Sequence, residues 1–211
     1  VIEEVGSQVH AFKPGDRVYV NPARYCGGCR ACRSGDTTAC AYYTFNGYFG
    51  FSRRSQTLFD DYPYGGLCEY MTAPQYSLVN IPDNLSHETA ARFGYLGTAY
   101  RALKKAEVGP SSTILVSGIS GTLGLGVALF GLAMGAKKIL GTARNRELLQ
   151  RVKALAPERI EVMSLDDGSV SDWAARETHG AGVDAVIDAL GPGAPQETLR
   201  ESLKTLRRGG H

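Results

Sequence analysis

The chain has 211 residues, 43% of them hydrophobic, enough to bury a substantial core. Its formal charge is only +2, so the composition gives no basis for binding nucleic acid or an anionic membrane surface. The opening Val-Ile-Glu-Glu-Val-Gly lacks Met and is neither a signal nor a transit peptide, and the cytoplasm is the expected compartment. It reads as the middle of a strand, and Arg-Arg-Gly-Gly-His at the far end also reads as interrupted, so further chain is expected on both sides.

Residues 1–5 and 17–20 are predicted as strands, with Lys13-Pro14-Gly15-Asp16 as the turn between them. A cysteine cluster follows: Cys26-Gly-Gly-Cys29-Arg-Ala-Cys32, then seven residues to Cys40. Two-residue gaps let successive sulfurs turn inward on one loop, and a Cys₄ set closes a zinc tetrahedron with no position left for water or substrate. Gly27 and Gly28 give the loop backbone freedom, and Arg24, Arg30 and Arg33 are expected to favour thiolates. The alternatives are two disulfides or a redox dithiol. Neither suits four cysteines on one loop without a secretory context, so a structural zinc is the favoured reading. Cys68 reads as a small buried apolar residue.

Residues 41–64 show aromatics without period and read as an irregular lobe, which either lines an apolar pocket or simply packs. Strands are predicted at 67–73 and 76–81, and a helix is predicted to start at Ser86-His87-Glu88 with Ser86 as N-cap. From there strands and helices alternate. Strands are expected at 113–117, 138–142, 160–163 and 185–188, and helices at 123–134, 146–155, 171–178 and 195–206. That order predicts a parallel sheet covered on both faces. The uncharged stretch 113–136 is long enough to span a bilayer, but its glycine punctuation fits strand, turn and helix better.

The turn in that stretch is Gly118-Ile119-Ser120-Gly121-Thr122-Leu123-Gly124. Glycines there allow a sharp bend and close backbone approach to a pyrophosphate, which the free N–H groups and positive helix end would hold. The alternative is that these glycines serve packing only. The tip of the next strand, Thr142-Ala143-Arg144-Asn145-Arg146, has no carboxylate to accept from a ribose hydroxyl. Small Ala143 and cationic Arg144, with Arg146 as helper, instead suit a 2′-phosphate and predict NADP(H) over NAD(H). The competing reading is two solvated arginines at a helix start.

Taken together, these segments resemble the medium-chain dehydrogenases, and within them the zinc-containing alcohol dehydrogenases. The matching stretches are Val5-Gly6 with 12–18, the four cysteines, 65–70, 81–83, 97–100, the glycine turn and 182–191. The resemblance implies an α/β chain: a partial GroES-like β-rich catalytic domain over residues 1–84 and a partial Rossmann doubly wound parallel sheet over 85–211. It implies that Cys26, Cys29, Cys32 and Cys40 are structural zinc ligands. It also implies that Thr98, Ser120, Gly121, Thr122, Leu123 and Leu190 line the cofactor, to which the reading of the glycine turn and the strand tip adds Gly118, Ala143, Arg144 and Asn145.

Two departures bear on catalysis. The family's first catalytic-zinc ligands would precede Val1, and its later catalytic cysteine falls where this chain has Phe93-Gly94. His10, His87, His179 and His211 show no ligand spacing, so no catalytic residue is assigned. The implied function is an NADP-dependent oxidoreductase acting on an alcohol and aldehyde or ketone pair, with a small-molecule substrate and a homo-oligomeric full-length parent. The alternatives are a metal-free quinone or enone reductase, or a non-catalytic nucleotide-binding protein stapled by zinc.

Overall fold

A computed structural model describes all 211 residues, Val1–His211, as a mixed α/β chain. It contains two compact units, Val1–Ala91 and Arg92–His211, where the sequence places the boundary at 84/85.

In the first unit, strands β1 (Val18–Val20) and β5 (Leu78–Asn80) pair antiparallel, with Tyr19 opposite Val79. The three-stranded antiparallel sheet is built from β2 (Ala23–Arg24), β3 (Thr44–Phe45) and β4 (Phe49–Gly50). Helix α1 (Arg30–Arg33) lies in the cysteine loop, α2 (Ser55–Asp61) follows β4, and α3 (His87–Ala90) closes the unit. Ser86 caps α3 as predicted, its side chain accepting from the Thr89 N–H at 3.2 Å. Arg17 ties the root of β1 to the turn after β5, donating to the carbonyls of Pro82, Asp83 and Leu85.

Three expectations fail here, for a shared reason: a strand needs a partner for its backbone groups. Residues 1–5 form no strand, because only Ile2 finds a partner, exchanging bonds with Gly15 and Asp16 across the turn. Residues 67–73 form none either; their backbone has no ladder to join, and Leu67 stands fully exposed. The predicted strand 76–81 shortens to Leu78–Asn80, because Gln75–Ser77 winds into a 3₁₀ turn. The lobe 41–64 is more regular than expected, since it holds β3, β4 and α2.

The second unit is a four-stranded parallel sheet, built from β6 (Thr113–Ser117), β7 (Lys138–Ala143), β8 (Ile160–Ser164) and β9 (Ala185–Asp188). The strand order is β8-β7-β6-β9. Helix α4 (Phe93–Lys105) precedes the sheet, and α5 (Thr122–Ala133), α6 (Arg146–Lys153), α7 (Val170–Glu177) and α8 (Gln196–Leu203) follow successive strands. Residues of each strand alternate between faces. Ile114, Val116 and Ile139 pack with Ala99 and Leu103 of α4, Val127 and Ala128 of α5, and Leu149 and Val152 of α6. Leu115, Leu140 and Met163 pack on the other face with Val170, Trp173 and Ala174 of α7. Both faces are therefore covered, as the alternating pattern predicts. Each large apolar side chain so buried contributes about 1.5–3 kcal/mol. Stretch 113–136 resolves into β6, a turn, α5 and the start of the next connection, and no helix is long and apolar enough to cross a membrane.

Strand order in this sheet reverses between β6 and β9, one running outward through β7 and β8, the other in the opposite direction. Open parallel sheets bind ligands outside the carboxyl ends of the strands at that reversal. The turn after β6 and Ala189-Leu190 after β9 both lie there.

Candidate metal centre and nucleotide turn

The cysteine loop leaves β2, bends at Gly27 with φ +72°, makes the single turn of α1 and returns through Cys40 toward β3. This path brings the Sγ atoms of Cys26, Cys29, Cys32 and Cys40 within 4.8 Å of one another. Cys29 and Cys32 are 3.5 Å apart, Cys26 and Cys40 3.6 Å, and Cys26 and Cys32 4.0 Å. Four sulfurs at about 2.3 Å from a central zinc would be separated by about 3.8 Å. The donor set fits a closed tetrahedral ion. All four cysteines are free thiols, and no pair approaches the ~2.05 Å of a disulfide. The backbone N–H groups of Cys26 and Tyr42 point at Cys40 Sγ, at 3.5 and 3.4 Å, and would support a thiolate ligand.

Without a metal these thiols titrate apart. The Cys32 backbone N–H facing it, helped by the Cys32 thiol, lowers Cys29 to about 6. Burial, then the hydrogen bond shared with Cys29, pushes Cys32 up to about 12. One thiolate stabilised by neighbouring thiols is a good first ligand, and metal binding would release the remaining protons.

One of the nearby arginines does not act as expected. Arg24 is fully buried and turned away to the carbonyls of Asn21 and Ala23, with its guanidinium 5.4 Å from the Tyr62 ring centre. Burial lowers its pKa. Arg30 and Arg33 are exposed. Cys68 is also a correction: it is exposed, with its thiol on the Gly65 carbonyl at 2.8 Å, because the segment around it joins no sheet. In the aromatic lobe, Tyr43, Phe45, Phe49 and Phe51 pack ring against ring at 4.6–6.4 Å, with Phe49 and Phe51 also exposed.

In the second unit the glycine turn is tightly built. Gly118 takes φ +79°, and a Cβ on it would sit 3.0 Å from the Ala189 carbonyl oxygen and 3.3 Å from Leu190 Cδ2. A Cβ on Gly124 would lie 2.2 Å from the Gly118 carbonyl oxygen, so only glycine lets α5 start against the turn. Ile119 is fully buried and fills the space over Gly141 on β7, where a Cβ would meet it at 2.3 Å. The N–H groups of Gly118 and Ile119 both donate to the Thr142 carbonyl, fixing the bend to β7.

Gly121 caps α5 with no side-chain hydrogen bond, and the N–H groups of Thr122, Leu123 and Gly124 have no protein partner. Gly121 and Thr122 are exposed, Ser120 and Leu123 half-buried. The structure thus gathers Gly118, Ser120, Gly121, Thr122, Leu123 and Leu190 at one place, with three donors free to hold an anion.

The other predicted residues are distributed differently. Ala143 is buried at the end of β7, and Arg144 is exposed with no partner. Asn145 caps α6, its side chain accepting from the Leu148 N–H at 3.0 Å. Arg146 is not free: it forks onto Asp167, which follows β8 and belongs to no motif that the sequence offers. Thr98 lies on the exposed face of α4, with its hydroxyl on the Gly94 carbonyl at 3.1 Å. Phe93 and Gly94 form the first two positions of that helix.

Residues 1–83 match the family of the alcohol dehydrogenase GroES-like domain. Over its whole length the chain is 30% identical to L-idonate 5-dehydrogenase of Vitis vinifera, covering 54% of that protein. It is 32% identical over 92% of its length to an uncharacterised zinc-type alcohol dehydrogenase-like protein of Escherichia coli, covering 51% of it. The crystal structure of an NAD-dependent alcohol dehydrogenase superposes with a TM-score of 0.84 over the full chain, at 27% identity and covering 56% of that structure. This chain belongs to the zinc-containing alcohol dehydrogenase family. The GroES-like first unit and the parallel-sheet second unit of this alcohol dehydrogenase-family chain follow from that membership. The chain spans about half the length of the curated relatives it matches.

Proposed function

We propose that this chain serves an oxidoreductase that moves hydride between a nicotinamide cofactor and an alcohol and aldehyde or ketone pair, with NADP(H) preferred. The observation that carries the reading is the turn Gly118–Gly124. It presents three unpartnered N–H groups at the strand-order reversal, beside the tip of β7. When bound, the nicotinamide supplies the hydride chemistry, and the protein's part is binding, orientation and exclusion of water.

The N–H groups of Thr122, Leu123 and Gly124 would hold the pyrophosphate, helped by the positive end of α5. Leu190, beside Gly118, would pack on the cofactor. Arg144, the free cation at the end of β7, would pair with a 2′-phosphate, and the segment Thr142–Arg146 itself carries no carboxylate to accept from a bare ribose. Two of the similar proteins carry other indications in their names, one an NAD-dependent alcohol dehydrogenase and the other an L-idonate 5-dehydrogenase, so a polyhydroxylated substrate belongs among those to be tried. Cys26, Cys29, Cys32 and Cys40 would hold a zinc with no open position, which makes that ion structural.

Phe93 and Gly94 at the head of α4 support a second reading, a reductase that works without a catalytic metal at that position. Turnover of alcohols, polyols and enones, measured with metal content, separates the two. Cofactor preference is tested by titrating the chain with NADPH and NADH. NADPH should bind at least tenfold tighter, and Arg144→Ala should erase most of that margin while leaving NADH within about twofold. Tighter binding of NADH by the unaltered chain would overturn the preference.

A further inference from the structure

The two arginines at the tip of β7 differ in what they are free to do. Arg144 has no partner, while Arg146 in the first turn of α6 is held by Asp167. The hold is a planar fork: Nη1 to Oδ2 at 2.9 Å and Nη2 to Oδ1 at 2.6 Å. Asp167 reaches it from the connection after β8, where Leu165–Asp167 winds into a 3₁₀ turn. Ser164 caps that turn by accepting from the Asp166 N–H, and Gly168 at φ +120° ends it. The carboxylate therefore comes to the β7 tip from a neighbouring strand of the same sheet, with a backbone turn to aim it.

We propose that Asp167 is a specificity-determining residue that withholds Arg146 from a cofactor's 2′-phosphate, keeping the preference for NADP(H) below what two free arginines would give. The inference rests on the reading of the β7 tip as the ribose-binding end. A phosphate and a carboxylate compete for the same guanidinium fork, because both accept two parallel N–H bonds. Asp167 also adds a negative charge beside the tip, which opposes a phosphate and is indifferent to a ribose hydroxyl. Arg146 and Asp167 side chains are 61% and 44% exposed, so the fork is a bias that a ligand can break and not a lock. Arg146 is thus a reserve cation whose use is set by one carboxylate, and the chain can retain NAD(H) affinity while carrying arginines suited to NADP(H).

Calorimetric titration of the chain with NADPH, NADH and adenosine 2′,5′-bisphosphate tests this without turnover. Asp167→Asn should tighten NADPH and the bisphosphate about three- to tenfold and leave NADH within about twofold. Adding Arg146→Gln to Asp167→Asn should remove the gain. Asp167→Ser, which removes the carboxylate with a smaller side chain, should reproduce it if the amide perturbs the turn. A native chain that prefers NADPH, with variants that leave the NADPH to NADH ratio unchanged, overturns the inference while the cofactor reading stands. The same holds if the variants only lower the melting temperature. A native chain that binds the bisphosphate no better than adenosine 5′-diphosphate overturns both.

Discussion

Of the 26 hydrophobic residues that are buried, 23 lie in Arg92–His211, and only Cys40, Ile81 and Ala90 lie in Val1–Ala91. The strands follow the same division: two or three residues each in the first unit, four to six in the second. The second unit has a two-faced core of the kind that stabilises a domain through apolar burial. Within Val1–Ala91, the first unit has little such burial, and its order here calls on another source. Its four converging thiols supply one, and its buried polar contacts supply part of the rest. Those contacts are costly: Arg24 leaves Nε and Nη2 without partners, and Asn46 leaves Oδ1.

Core truncation should separate the units most sharply. Leu140→Ala, fully buried between the sheet and α7, should cost about 2–5 kcal/mol of the second unit's stability, read by denaturant unfolding followed through Trp173. Val79→Ala, half-exposed on β5 and followed by circular dichroism because the first unit holds no Trp, should show a far smaller loss. Gly124→Ala comes next. Its methyl would drive into the Gly118 carbonyl, displacing backbone that cannot yield cheaply, at about 1–3 kcal/mol. Dinucleotide affinity should fall at least tenfold, because the turn must open.

The smallest effect is electrostatic and confined to the second unit. Burial would push Asp184 up, but the Thr113 N–H at 2.7 Å and Arg207 Nε at 2.6 Å together hold its pKa below the usual value. A carboxylate lowered on folding stabilises above the unfolded pKa of about 3.9, and that stability is lost as pH falls through the folded value. Unfolding midpoints of the second unit should drop below about pH 4, and Asp184→Asn should flatten that slope.

How much of this could be read from the sequence differs between the units for a physical reason. In the second unit, strand runs such as Thr113–Ser117 and Ala185–Asp188 coincide with the predicted ends, because period and punctuation agree with burial on both faces. Helix α4 carries a weaker signal: Leu96, Ala99 and Leu103 recur at helical spacing and the last two are fully buried, but Gly94 and Gly97 interrupt the pattern. In the first unit, apolar alternation at 67–73 reads as a strand, but pairing is decided by distant partners that local pattern does not encode. The cysteine ligands were legible because metal geometry imposes spacing on the chain itself. The Arg146–Asp167 fork was not, since it joins residues 21 apart through tertiary structure.

Hydrogen–deuterium exchange of the chain, before and after removal of zinc by a strong chelator, tests the central claim: the cysteine knot holds the first unit and is separate from the nucleotide turn. Amides in β1–β5 and the loop Cys26–Cys40 should lose protection, while β6, β7 and α5 keep theirs. Unchanged protection in Val1–Ala91 after the metal is gone, or equal loss across both units, would contradict it.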